Sequence, residues 1–125
     1  MANLAFHIPT PSLKISGSTL RFPVRRIFCV GRNYSEHAKE FGNDERGPPF
    51  FFTKPADAIV QSGATIPYPP KTEDVHHEAE LVVAIGIAGS NITTQRAMAH
   101  IFGFAAGNDL TRRDLQATAK SQRRP

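Results

Sequence analysis

Val82, Val83, Ile85 and Ile87 are β-branched and follow directly on two carboxylates, Glu78 and Glu80, in the stretch DVHHEAELVVAIG over residues 74–86. β-Branched residues favour a pleated, half-buried surface, so this segment is expected to form a strand with a buried apolar part. Side chains alternate across a strand, which places Glu78, Glu80, Val82 and Ala84 on one face and Ala79, Leu81, Val83 and Ile85 on the other. Two carboxylates at i and i+2 lie roughly 6–7 Å apart along the backbone, and their heads can converge on one point. Buried and empty, that point would force one of them to protonate; a cation there removes the conflict. The alternative is a solvated sheet edge with both glutamates paired to arginines.

The rest of the chain bounds what surrounds this strand. Its 125 residues suffice for one domain, and its 40% hydrophobic and 21% charged content is that of a soluble globular protein. No apolar run approaches the ~20 residues of a membrane-spanning helix, and the N-terminus lacks the basic and apolar regions of a secretory signal. The single cysteine, Cys29, excludes an intrachain disulfide framework and lies in a segment expected to be a buried strand. These features point to a cytoplasmic protein. The net charge is +4, with arginine pairs at 25–26, 112–113 and 123–124. Eleven acidic residues are interspersed, and no zinc finger or RNA-binding aromatic signature accompanies the basic ones, which argues against a nucleic-acid partner.

Along the chain, SLKISGSTLRF reads as a hairpin turning at Gly17. FPVRRIFCVG reads as a strand ending at Gly31, a glycine expected at a tight turn or close backbone approach. NYSEHAKEFG fits a short helix closed by Gly42, NDERGPP a loop, and FFFTK a strand ending before Pro55. The Pro-rich IPYPPKTED reads as a connection. NITTQRAMAHIFG is expected to be a helix starting at Thr93 or Thr94 and stopping at Gly103. FGFAAGND is a second apolar segment ending in a carboxylate, Asp109, and TRRDLQATAKSQRR is helical in pattern. The predicted class is α+β, rich in strands. Residues 1–24 form a hairpin segment and residues 25–125 the body of the chain. The strands do not obviously close a sheet, so either the chain oligomerises to cover its edges or the sequence is incomplete.

Four blocks, VGRNYSEHAKE, FFTKP, HHEAELVVAIG and GNDLTRRDLQ, stand in an order and spacing that resemble the fumarylacetoacetate hydrolase family, from about Arg25 to the end of the chain. FPVRRIFCVGRNYSEHAKE and PPFFFTKPADAI look most like its fumarylpyruvate hydrolase branch, which serves the gentisate route of aromatic catabolism. The resemblance implies the family's mixed β-sandwich or roll, with residues 25–125 as the N-terminal part of a catalytic domain. Family domains continue through a Trp-containing segment and a Lys-x-Phe-Asp motif, whereas this sequence has no Trp and stops at KSQRRP. The expectation is a chain that lacks the C-terminal part of the domain and, alone, is poorly stable.

By the same resemblance, Glu78, Glu80 and Asp109 bind one Mg²⁺ or Mn²⁺. Carboxylate oxygens suit a hard octahedral ion, whereas zinc would be expected to recruit His or Cys; His76 and His77 are near enough to raise that option, although a structural role fits the pair better. His37 and Glu40 are three residues apart and share a helix face, where a carboxylate can orient an imidazole. Alone that spacing also fits a surface pair; in the family such a pair activates water. Arg32, Tyr34, Lys54, Arg112 and Gln116 are the implied substrate-positioning groups. The implied activity is metal-dependent hydrolysis of a carbon–carbon bond in an acylpyruvate, most closely fumarylpyruvate to fumarate and pyruvate. Oxaloacetate decarboxylation and isomerisation or decarboxylation of hydroxylated dienedioates are alternatives within the family, and a non-catalytic metal-binding or subunit-interaction fragment is one outside it. The implied partners are a small 2-oxo acid and a second copy of the chain in a homodimer, with no nucleic acid and no membrane.

Overall fold

A computed structural model describes residues 3–31 and 48–124 of the chain. It is a strand-rich α+β fold of eight short strands in four two-stranded ladders with few helices among the described residues. It divides into two compact units, Met1–Ile66 and Pro67–Pro125. None of its helices among the described residues is long and apolar enough to cross a membrane.

In the first unit, β1 (Ser12–Lys14) and β2 (Arg21–Pro23) form the expected hairpin, with Leu13 opposite Phe22. Gly17 takes the positive φ of 70° that its turn needs, a conformation costly for residues with a Cβ. The hairpin is tied to a later loop: Arg21 donates to Ser12 Oγ and O, both at 2.8 Å, and to Gln61 Oε1 at 3.0 Å. The single strand expected over FPVRRIFCVG is in fact two. Phe22 and Pro23 belong to the hairpin, and β3 (Ile27–Gly31) starts after a break at residues 24–26. Val24 N–H is drawn off to Pro11 O at 2.8 Å, and Val24, at 8% exposure, is the one buried hydrophobic side chain among the described residues. β3 pairs antiparallel with β4 (Phe50–Lys54), Ile27 opposite Lys54 and Gly31 opposite Phe50. The Phe50 ring lies over Gly31 where a Cβ would stand, so close approach is what the glycine permits. Cys29 is half-buried rather than buried. The expected helix over NYSEHAKEFG lies outside the described residues.

The second unit is built on a long hairpin. β5 (Val75–His76) pairs with β8 (Thr111–Arg112), and β6 (Ala79–Ile85) with β7 (Ile101–Asn108). Both ladders are antiparallel and keep one register: His76 faces Thr111, Ala79 faces Asn108, and two residues on each strand lie between. The single strand expected within residues 74–86 is therefore interrupted at His77–Glu78, opposite Asp109–Leu110. A register shift follows at the far end, between Ala84 and Ile85. The apolar part expected to be buried is exposed: Leu81 is 65%, Ile85 60%, and Phe102 and Phe104 each 55% accessible.

The first α-helix among the described residues, α1 (Thr94–Ala97), starts where expected but passes through a 3-10 turn, Met98–His100, into β7 at Ile101, short of Gly103. Hairpin pairing outweighs helix propensity here, since Gly86 and Ile87 N–H both donate to His100 O, at 2.9 and 3.2 Å. Likewise Thr111 and Arg112 pair with β5, so α2 covers only Arg113–Ser121. Its first turn is anchored by Asp114, whose carboxylate accepts from Thr72 Oγ1 at 2.6 Å and Glu73 N–H at 3.0 Å. Those two bonds, the Thr72 hydroxyl first, hold the Asp114 carboxyl below its ordinary value.

Candidate metal centre

The interruption of the hairpin is where the acidic residues gather. Glu78 and Asp109 occupy matching places in the gap, and Asp109 N–H donates to Glu78 O at 2.9 Å. The gap is polar because side chains replace ladder partners there: Glu78 N–H donates to Asn108 Oδ1 at 3.1 Å, and Thr111 Oγ1 to Asp109 O at 3.1 Å. Glu80 lies two residues further along, opposite Gly107. A carboxylate oxygen from each of Glu78, Glu80 and Asp109 comes within 4.8 Å of the other two, and all three residues are half-buried. Gly107 keeps the floor beside them low; a Cβ there would meet Val82 Cγ2 at 2.6 Å.

Three like charges this close repel one another, and a cation among them would relieve that repulsion. All the donors are oxygens, which fits a hard divalent ion such as Mg²⁺ or Mn²⁺. His76 is engaged elsewhere: its Nδ1 accepts from Arg113 Nε at 3.2 Å and its Nε2 lies 2.9 Å from Asp74 Oδ1. The His76 ring therefore braces its neighbours, and the donor set lacks the nitrogen or sulfur that zinc favours.

Arg113 is not among the residues the sequence singles out; the sequence favours its neighbour Arg112. Arg112 is exposed, and its Nη1 donates to Pro70 O at 3.3 Å. Arg113 instead turns toward the acidic corner: Nη2 donates to Glu78 Oε1, and Nη1 to Gln116 Oε1 at 2.6 Å. Thus Glu78 both joins the trio and pairs with an arginine, combining the two alternatives the sequence offered. The signal that separates the two arginines is phase, since β8 alternates and Arg113 is the first helical residue after it. Lys54 closes β4 in the first unit, opposite Ile27. Arg32, Tyr34, His37 and Glu40 lie outside the described residues.

Residues 26–124 match the family described as fumarylacetoacetate (FAA) hydrolase C-terminal. The mitochondrial oxaloacetate decarboxylase of Dictyostelium discoideum is 42% identical over 102 residues, covering 81% of this chain and 47% of that protein. The fumarylpyruvate hydrolase of a Ralstonia species is 50% identical over 76 residues, 61% of this chain and 40% of that one. The crystal structure of fumarylpyruvate hydrolase from Pseudomonas aeruginosa in complex with Mn²⁺ and pyruvate matches 98% of this chain and 55% of that one, at 51% identity and a TM-score of 0.88. The chain spans about half the length of the curated relatives it matches. With almost the whole sequence after Arg25 matched and the fold shared, the chain belongs to the fumarylacetoacetate hydrolase family.

Proposed function

We propose that the chain is the metal-binding part of an enzyme that hydrolyses a carbon–carbon bond in an acylpyruvate, with fumarylpyruvate as substrate and fumarate and pyruvate as products. The observation that carries this reading is the convergence of Glu78, Glu80 and Asp109. The three carboxylates would hold Mg²⁺ or Mn²⁺, and the ion supplies Lewis acidity toward the 2-oxo acid end of the substrate. His37, oriented by Glu40, is assigned as the base that takes a proton from the attacking water. Arg32, Tyr34, Lys54, Arg112 and Gln116 are assigned to hold the substrate's carboxylates and carbonyls. Support comes from the identity to proteins named fumarylpyruvate hydrolase, one of them crystallised with Mn²⁺ and pyruvate. A second copy of the chain is the proposed protein partner, since strands carrying Leu81, Val83 and Phe104 leave apolar side chains uncovered.

A second reading, oxaloacetate decarboxylation, is favoured by one observation: the Dictyostelium decarboxylase aligns with a larger share of this chain, 81%, than the Ralstonia hydrolase, 61%. The test has two parts. Calorimetry should show Mn²⁺ bound by the chain and its affinity lowered more than about 100-fold by Glu80→Ala, beyond the 10–100-fold typical of losing an outer partner; full affinity in the variant would remove the site. Side-by-side assays should then show fumarylpyruvate cleaved faster than oxaloacetate is decarboxylated, and carbon dioxide from oxaloacetate alone would install the second reading.

A further inference from the structure

Arg113 makes three side-chain contacts, each to a different part of the corner. Its guanidinium meets Glu78 Oε1, His76 Nδ1 and Gln116 Oε1. The guanidinium fork is planar and its donors have fixed directions, so three engaged donors set its orientation closely. His76 is in turn held by Asp74 at 2.9 Å, and the Arg113 backbone N–H donates to Asp74 O at 2.8 Å. The Arg113 and Glu78 side chains are 15% and 24% exposed, so water screens this pair less than it screens a surface ion pair.

Resting on the metal-site reading above, we propose that Arg113 is the positioning residue of the trio: it holds Glu78 by one oxygen and presents the carboxylate in the orientation that a divalent cation requires. The guanidinium also offsets the mutual repulsion of Glu78, Glu80 and Asp109, and so lets them stand together before an ion arrives. Lysine cannot replace it, because an ammonium carries the charge without the fork that spans Glu78, His76 and Gln116. Gln116 and His76 then serve Arg113 rather than the ion directly.

The test is Mn²⁺ binding to the full chain, by calorimetry and by the electron paramagnetic resonance spectrum of the bound ion. Arg113→Lys and Arg113→Gln should each weaken binding by about 10–100-fold and broaden the spectrum as Glu78 loses its fixed orientation. In a Glu78→Gln background, where there is no carboxylate to orient, Arg113→Gln should bring no further loss; this non-additivity is the mark of action through Glu78. Unchanged or tighter binding in both Arg113 variants would overturn the proposal, leaving Arg113 as a counter-charge that opposes the ion. The same loss repeated in the Glu78→Gln background would also overturn it. No Mn²⁺ binding by the unaltered chain, or full binding by Glu78→Gln alone, would instead bring down the metal-site reading on which it rests. If Arg113→Gln does not fold, Arg113→Lys, which keeps the charge, decides between these outcomes.

Discussion

The two ends of the long hairpin in the second unit lie on the same two stretches of chain and differ in almost everything else. At the Glu78–Asp109 end, side chains answer one another within the chain: Asn108 and Thr111 satisfy backbone groups, and Arg113, His76, Asp74 and Gln116 form a bonded set around Glu78. Toward the other end Ile85 and Phe102 stand exposed, as do Leu81 and Phe104 along the ladder between. Burying one such side chain stabilises by about 1.5–3 kcal/mol, and these side chains leave most of that ungained. Polar complementarity is short-range and needs a handful of partners, so a single hairpin and the helix after it can supply them. An apolar core needs a second layer, and neither face of the β6–β7 ladder has one among the described residues of its unit.

The sharpest way to break the contrast is at His37. If the acidic corner is self-sufficient as an ion site, His37→Ala should spare Mn²⁺ binding, while in a complete enzyme containing this chain it should lower kcat for acylpyruvate hydrolysis by about 10²–10⁴, the usual contribution of a general base. Loss of ion binding in that variant would mean that the corner depends on residues beyond its own hairpin. A smaller effect is expected along the exposed ladder. In the chain held dilute enough to be monomeric Phe104 is exposed, so Phe104→Ser should change stability by no more than about 0.5 kcal/mol by denaturant titration, against about 3–5 kcal/mol in a packed core. A loss of several kcal/mol that grows with protein concentration would show that a second copy covers the face, and the contrast would dissolve. The smallest effect is at Asp114. Its carboxyl is held below the ordinary value when folded, so its contribution is present above the unfolded value of about 3.9 and is lost as pH falls through the lower folded one. Asp114→Asn should therefore melt below the unaltered chain at neutral pH, and the gap should close in acid; a gap independent of pH would assign the loss to something other than the charge.

Much of the site could be read from the sequence because it is local. Alternation alone brings Glu78 and Glu80 to one side, and GND puts a third carboxylate at the end of the next apolar segment, but only the family resemblance joins Asp109 to them. What could not be read was the break at His77–Glu78, because it depends on the facing residues Asp109 and Leu110, which are far along the chain. The same cause explains Ile101 and Thr111. Each sits in a helix-like pattern, and each is drawn into a strand by a partner more than ten residues away. The expectation that Val83 and Ile85 are buried rested on composition, which reports what a residue would prefer and not whether a second layer is present to cover it. Arg113 was missed for a finer reason: between two adjacent arginines, the choice turns on where strand alternation gives way to the helical turn.

The register of β6 on β7 has a consequence of another kind. β7 offers little to fix its own alignment, since Gly103, Ala105, Ala106 and Gly107 are small, and strands poor in side chains are prone to slip. Glu78 meets Asp109, and Glu80 meets Gly107, in only one alignment. A slip by one residue would turn Asp109 to the other side. An ion that requires all three carboxylates would therefore bind the aligned hairpin and none of its slipped forms. At a cation concentration 100 times the dissociation constant, that selectivity favours the aligned form by about 2.7 kcal/mol. The trio would thus act as a gauge of strand pairing: the cation proposed to serve the chemistry would also proofread the hairpin, rewarding the alignment that the glycines and alanines of β7 leave loosely specified.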